Sequence, residues 1–146
     1  MSVDEVRRVS DRFYAGMNRA INGDPGAMLE LPDVCSQTDD LSLMSEMGGR
    51  QLGWPEVRAT WEMGAQAVSS GSVEVSDRRI TLLGPDGAFT TGTLTASVIL
   101  GTTPLHFSAR CTDVFRREGG AWKLVHHHLD LLPDPAALQD AMAQAS

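Results

Sequence analysis

Four long strand-like segments follow one another in the second half of the sequence: Ser72 to Leu83, Ala88 to Leu100, Leu105 to Arg117 and Trp122 to Leu131. The links between them are Gly84-Pro85-Asp86-Gly87, Gly101-Thr102-Thr103-Pro104 and Glu118-Gly119-Gly120. Each link is built from residues that favour tight turns. A parallel connection needs about a dozen residues to return to the same end of a sheet, and none of these links is that long. The segments are therefore expected to form an antiparallel meander. The longest stretch without Asp, Glu, Lys or Arg, Ala88 to Ala109, is rich in Thr, Ser and Gly and alternates as a strand does, which excludes a membrane span.

The first half reads as helix. Ser2-Val3-Asp4-Glu5 fits a capping box, and Val6, Val9, Phe13, Met17 and Ile21 then recur at helical spacing up to Asn22-Gly23. Asp24-Pro25 is expected to cap a second helix carrying Met28, Leu29 and Leu31, with Pro32 ending it. Leu41 to Glu46 and Arg50 to Leu52 read as a short strand pair turned by Gly48-Gly49. Trp54-Pro55 opens a third helix with Val57, Trp61, Ala65 and Val68 along one side, and Asp134-Pro135 caps a terminal helix with Leu138 and Met142. Helices first and a run of strands afterwards is an α+β layout, with helices packed on one face of a strongly curved, mostly antiparallel sheet. The 146 residues suit one domain over positions 1–146, and no linker, repeat or low-complexity tract divides them.

A net charge of −7 argues against nucleic acid and anionic membrane as partners. The N-terminus lacks the basic and apolar regions of a signal peptide, which points to a cytoplasmic setting. Cys35 and Cys111 have no zinc-type spacing and read as two buried thiols. No phosphate loop, nucleophile elbow or dinucleotide fingerprint is present.

The titratable cluster is His126-His127-His128-x-Asp130. On a strand His126, His128 and Asp130 share one face, as N/O metal ligands would require, and His127 points to the other. No fourth ligand is evident, and the expectation is that no metal is bound. The partner of this strand depends on the preceding turn. A three-residue Glu118-Gly119-Gly120 loop sets Asp113 opposite Val125 and leaves His127 on the same face. A two-residue Gly119-Gly120 loop pairs Asp113 with His126. One residue of register separates these, and the local sequence leaves both open. Trp54, Trp61 and the methionines Met28, Met44, Met47 and Met63 could line an apolar pocket for a flat ligand, or serve as core. His106 reads as a surface residue.

The helix ending in Asn22-Gly23-Asp24, the Gly49-Arg50-Gln51-Leu52-Gly53-Trp54 entry into the third helix and, above all, Thr112-Asp113-Val114-Phe115-Arg116-Arg117-Glu118-Gly119-Gly120-Ala121-Trp122-Lys123-Leu124-Val125-His126-His127-His128 resemble the nuclear transport factor 2-like superfamily. The last run is similar to the closing hairpin of SnoaL-like and ketosteroid isomerase-like domains, and of the calmodulin-dependent kinase II association domain. The resemblance implies a cone-shaped α+β barrel of cystatin-like layout. It implies a ligand pocket between helices and concave sheet, and a homodimer through the outer sheet face. It favours the register with Asp113, Phe115, Val125, His127 and Leu129 on the pocket face. His127 then stands where the SnoaL-like cyclases carry an acid–base aspartate. Pocket arginines of the kinase association domain fall at Thr93, Asp113 and Leu129, so this chain lacks all three. Tyr14, the single tyrosine, matches the helix-one tyrosine that helps form an oxyanion hole in ketosteroid isomerases, and Asp39 and Asp40 fall near their base aspartate.

The expected catalytic set is Asp113, His127 and Tyr14. The expected ligand-binding set is Trp61, Thr93, Phe115, Val125 and Leu129. The implied function is a cofactor-independent isomerase, cyclase or dehydratase acting on a small apolar carbonyl compound by His/Asp acid–base chemistry. The alternative is a non-catalytic ligand-binding or dimerisation module resembling the kinase association domain.

Overall fold

The apolar stripe of the first segment forms a 20-residue helix, α1 (Ser2–Ile21), in a computed structural model that describes residues 2–131 and 135–145. Val6 and Phe13 of that stripe are fully buried. The helix stops at Gly23, whose φ of 83° suits a residue without a β-carbon. The Ser2 side chain lies outside the described atoms, as does all of Asp134. Glu5 accepts a hydrogen bond from Trp122 Nε1 at 3.0 Å and so ties α1 to the sheet.

The second helix differs from expectation at both ends. Asp24 accepts from the Gly26 N–H at 2.8 Å, a turn that closes on the residue two ahead, so α2 begins three residues after it (Ala27–Val34). Pro32 lies inside the last turn rather than ending the helix. Then follow β1 (Ser42–Ser45), β2 (Gly48–Leu52), α3 (Gly53–Ala67), β3 (Val68–Leu82), β4 (Gly87–Leu100), β5 (Thr103–Glu118), β6 (Ala121–Leu131) and α4 (Pro135–Ala145).

The six strands form one sheet in the order β2-β1-β6-β5-β4-β3. The meander β3–β6 is antiparallel throughout, as the short links require. The β1–β6 pair is parallel, with Leu43 beside His127, a long-range contact no local pattern announces. Register shifts in β3 and between β5 and β6 help to bend the sheet around α1. The sheet does not close on itself. Its edges are β2 and β3, and α3 runs from the end of one into the start of the other and packs against both.

The free edge of β3 is covered by two asparagines one helical turn apart on α1. Asn18 accepts from Val73 N–H through Oδ1 and donates to Val73 C=O through Nδ2, both at 2.7 Å. Asn22 does the same to Gly71, at 3.1 and 2.8 Å. Each side-chain amide stands in for one residue of a missing strand, which leaves that part of the edge unavailable for pairing.

The core lies between α1 and the inner sheet face. Phe13, Leu31, Leu43, Phe115 and Leu124 are at most 1% exposed. Each such side chain contributes roughly 1.5–3 kcal/mol by leaving water.

Candidate active site

The closing hairpin places the central pair. Glu118 pairs with Ala121, so the turn is the two-residue Gly119-Gly120 with φ of 56° and 82°, the double positive that a type I′ turn demands. That corrects the expected three-residue loop. The turn alone would then pair Asp113 with His126. A bulge intervenes: Phe115 faces Leu124, but Val114 faces His126, so Val125 is the extra residue. Beyond the bulge Asp113 pairs with His127. Both point inward, where Asp113 is 0% and His127 1% exposed.

His127 Nδ1 lies 2.5 Å from Asp113 Oδ1. Tyr14 reaches the same carboxyl from α1, its hydroxyl donating to Oδ2 at 2.5 Å. With the single tyrosine proton engaged there, the Cys111 thiol is the remaining donor, 3.0 Å from the Tyr14 oxygen and 3.8 Å from Asp113 Oδ2. Burial, and next the charge of Asp113, pushes the Tyr14 hydroxyl far above its ordinary pKa. The same two causes push the Cys111 thiol up to about 12. Both groups stay protonated and act as donors. The carboxyl at the centre therefore collects Tyr14 on one oxygen and the histidine Nδ1–H on the other. That leaves His127 Nε2 as the free position of the ring, and it is buried without any hydrogen-bond partner. The ring is held by Phe13, edge-on at 5.0 Å between centroids.

Phe115 and Leu129 are buried on this inner face, at 1% and 6% exposure. Trp61 is half-buried on α3, 5.5 Å from Phe13, and Trp54 lies 6.1 Å beyond it. Two expected ligand contacts are misplaced. Val125 is the bulged residue, and Leu124 takes the inward position instead. Thr93 pairs with Arg110 on the outer face and lines an open groove of about 420 Å³ with Arg110, Thr112 and His128. The methionines do not converge, since Met47 is 85% and Met63 66% exposed.

His126 bonds Ser42 Oγ at 2.6 Å, and burial lowers its pKa. Asp130 is held by Arg110 Nε and Nη2 at 2.8 and 3.0 Å. Among the described residues no group of three or more His, Cys, Asp or Glu side chains is placed to hold a metal ion. His106 bonds Ser97 on the exposed surface. Asp39 is exposed, and Asp40 is clamped by Arg116 at 2.7 and 3.1 Å, which lowers its pKa well below the carboxylate range. Neither aspartate joins the His127 cluster. Cys111 and Phe13 do, and sequence reasoning took them only as a thiol and a stripe residue. Their alternation with Asp113 and their position one residue before Tyr14 were the available signals.

The geometry can be set beside known proteins. No curated protein matches the chain in sequence. An uncharacterised protein with a cystatin-like fold from Caulobacter vibrioides superposes with a TM-score of 0.75 at 14% identity, covering 97% of this chain and 96% of that one. A candidate dehydratase of the NTF2-like family from Streptomyces avermitilis gives 0.72 at 21% identity, over 90% and 97%. A candidate calcium/calmodulin-dependent protein kinase II association domain from Xanthomonas campestris gives 0.72 at 20%, over 89% and 87%. At such identities these likenesses speak to fold alone. No helix among the described residues is long and apolar enough to cross a membrane. The sequence profile of the SnoaL-like domain matches residues 6–134, nearly the whole chain and every element from α1 to β6, and the protein belongs to that family.

Proposed function

We propose that this protein is an acid–base enzyme, an isomerase, cyclase or dehydratase that moves a proton on a small apolar carbonyl compound and uses no cofactor. The observation that carries this reading is His127 Nε2, buried, unpartnered, and backed through Nδ1 by a buried carboxylate. A buried polar atom left without a partner is costly in a structure that has no use for it. In the proposed reaction Nε2 takes the proton next to the carbonyl, Asp113 holds the ring in its tautomer and offsets the imidazolium charge, and the proton returns to another atom of the substrate. Tyr14 steadies Asp113, since its one proton is already directed there. Phe13 packs edge-on against the ring, and Phe115 and Leu129 are buried on the same sheet face, which keeps water from it. The dehydratase among the structural neighbours fits the same chemistry.

The test needs no product. The chain is incubated in D2O with a panel of ketones such as 2-tetralone, and deuterium uptake at the α-carbon is followed by proton NMR. Uptake is expected with the native chain and lost by about 10²-fold or more in His127→Ala. Unchanged uptake in the variant removes the mechanism.

A second reading, a non-catalytic module that dimerises through the outer sheet face, is supported by the groove there. Arg110 and Asp130 give that face both signs of charge, which a second copy could complement. A monomer at micromolar concentration by analytical ultracentrifugation counts against it. Two free buried cysteines suit the reducing cytoplasm in either reading.

A further inference from the structure

Another polar side chain with a buried, unpartnered atom comes from a strand the sequence does not connect with the site. Ser76 of β3 pairs with Thr93 and Arg79 with Thr91, so Asp77 and Arg78 together face Gly92. Asp77 takes a φ of 53° to make this bulge. The extra residue changes which side chains face inward, and Arg78 turns toward α1. Gly92 makes room for it. A β-carbon there would lie 3.0 Å from the Ser76 carbonyl oxygen, 3.1 Å from Val75 Cγ1 and 3.6 Å from Arg78 Cα.

Arg78 Nη1 donates to Ser10 Oγ at 2.9 Å and forms an ion pair with Asp11 Oδ1 at 2.8 Å. Ser10 is fully buried, the Arg78 side chain is 16% exposed, and Asp11 is 60% exposed at the rim. One end of the guanidinium is thereby fixed, while its Nε–H is buried and has no acceptor. Gly92, which Arg78 faces, pairs in turn with Cys111 on β5, so Arg78 stands two strands from Cys111 in the same row of the sheet. Cys111 touches Tyr14, and Tyr14 touches Asp113. Arg78 and His127 thus stand at two ends of one polar cluster, each with a buried polar atom left open.

We infer that Arg78 is a ligand-binding residue and that the compound taken up at this site carries a carboxylate, which Arg78 grips through Nε. An arginine has donors and no acceptors, so only an acceptor group completes it, and a carboxylate matches the Nε edge of the fork. One arginine whose other end already faces Asp11 suits a single negative charge and not the two of a phosphate. The three positions where the kinase association domain carries arginines hold Thr93, Asp113 and Leu129 here, and a β3 bulge supplies a different arginine, Arg78. The inference deepens the acid–base reading above by adding one carboxylate to its otherwise apolar carbonyl compound, and rests on that reading for what the other end of the ligand meets, His127.

The test uses the full chain with matched pairs of probes, benzoate with benzamide and 2-naphthoate with 2-naphthamide. Binding is measured by calorimetry, and the Arg78 Nε–H signal is followed by proton–nitrogen NMR, assigned by its loss in Arg78→Lys. The carboxylates are expected to shift that signal and to bind at least tenfold more tightly than their amides. Arg78→Met should abolish the preference and Arg78→Lys should reduce it, with the fold of each checked by circular dichroism. His127→Gln should keep it. The inference is overturned if no carboxylate moves the Nε–H signal of the native chain, if the amides bind equally well, or if Arg78→Met keeps the preference. Loss of α-deuteration in His127→Ala alongside an unchanged preference in Arg78→Met would sink the anion site and leave the acid–base reading standing.

Discussion

His127 Nδ1 and Asp113 Oδ1 meet at 2.5 Å across the β5–β6 pairing, with neither residue more than 1% exposed. Two neighbouring features set that meeting, a two-glycine turn and a one-residue bulge at Val125. Changing Asp113 should therefore disturb both folding and chemistry. In Asp113→Asn one of the two donors, Tyr14 or His127, faces an amide N–H instead of an oxygen. The expected loss is about 2 kcal/mol in urea unfolding. Tyr14→Phe removes the short donor from Oδ2, leaving the Cys111 thiol at 3.8 Å, and should cost about 1–3 kcal/mol. If α-deuteration is the activity, Asp113→Asn should lower it by about 10²-fold, with Tyr14→Phe the milder change.

The Asn18 amide closes two backbone bonds on the part-buried edge of β3, and Asn22 makes the equivalent pair at the exposed end. Asn18→Ala should cost about 2 kcal/mol in urea unfolding and Asn22→Ala about 0.5 kcal/mol, since water replaces the exposed bonds. Hydrogen exchange at the Val73 N–H should speed up in the first variant. An unchanged rate would show that α1 does not guard the edge.

Cys35 and Cys111 are free and buried, and burial, as the larger cause in each, pushes both thiols up to about 12. At pH 8 neither should react with a disulfide reagent in the native chain within the time that both react in denaturant, because the thiolate is the reacting form. Rapid native labelling of either would contradict the burial described.

His126 gives a pH dependence with a definite sign. Burial, the largest cause, lowers its folded pKa, with His128 the next contributor. The unfolded ring takes up its proton near pH ~6.5. Between the folded value and that one the unfolded chain binds more protons, so acid favours unfolding. This contribution is fully present above pH ~6.5 and is lost as the pH falls through the folded value. The urea midpoint should decline below pH ~6.5, and His126→Gln should flatten that decline. An unaltered slope would assign the acid sensitivity elsewhere, with the Asp40–Arg116 and Asp130–Arg110 pairs next in line at lower pH.

Much of the fold was legible in the chain. The link lengths between Ser72 and Leu131 sufficed for the meander, and the 3.6-residue recurrence from Val6 to Ile21 sufficed for α1. The candidate site was legible only in part. Asp113, His127 and Tyr14 stood out as titratable residues, yet the expected turn that placed two of them together is not the turn present. Asp24 was taken as a helix cap because Asp before Pro usually is one. Its carboxylate instead closes a two-residue turn.

What the sequence determined by itself is whatever local chemistry decides: helix stripes, turn residues at Gly23 and Gly119-Gly120, and the antiparallel order that short links impose. Tertiary structure decided the rest. The parallel β1–β6 pairing, the bulge that displaces Val125 and the bulge that turns Arg78 inward all depend on contacts between residues far apart in the chain. Side chains alternate faces every residue along a strand, so one extra residue in a pairing moves each later side chain across the sheet. Periodicity reveals that a strand has two faces. Only the assembled neighbours settle which face Thr93, Val125, His127 and Arg78 occupy.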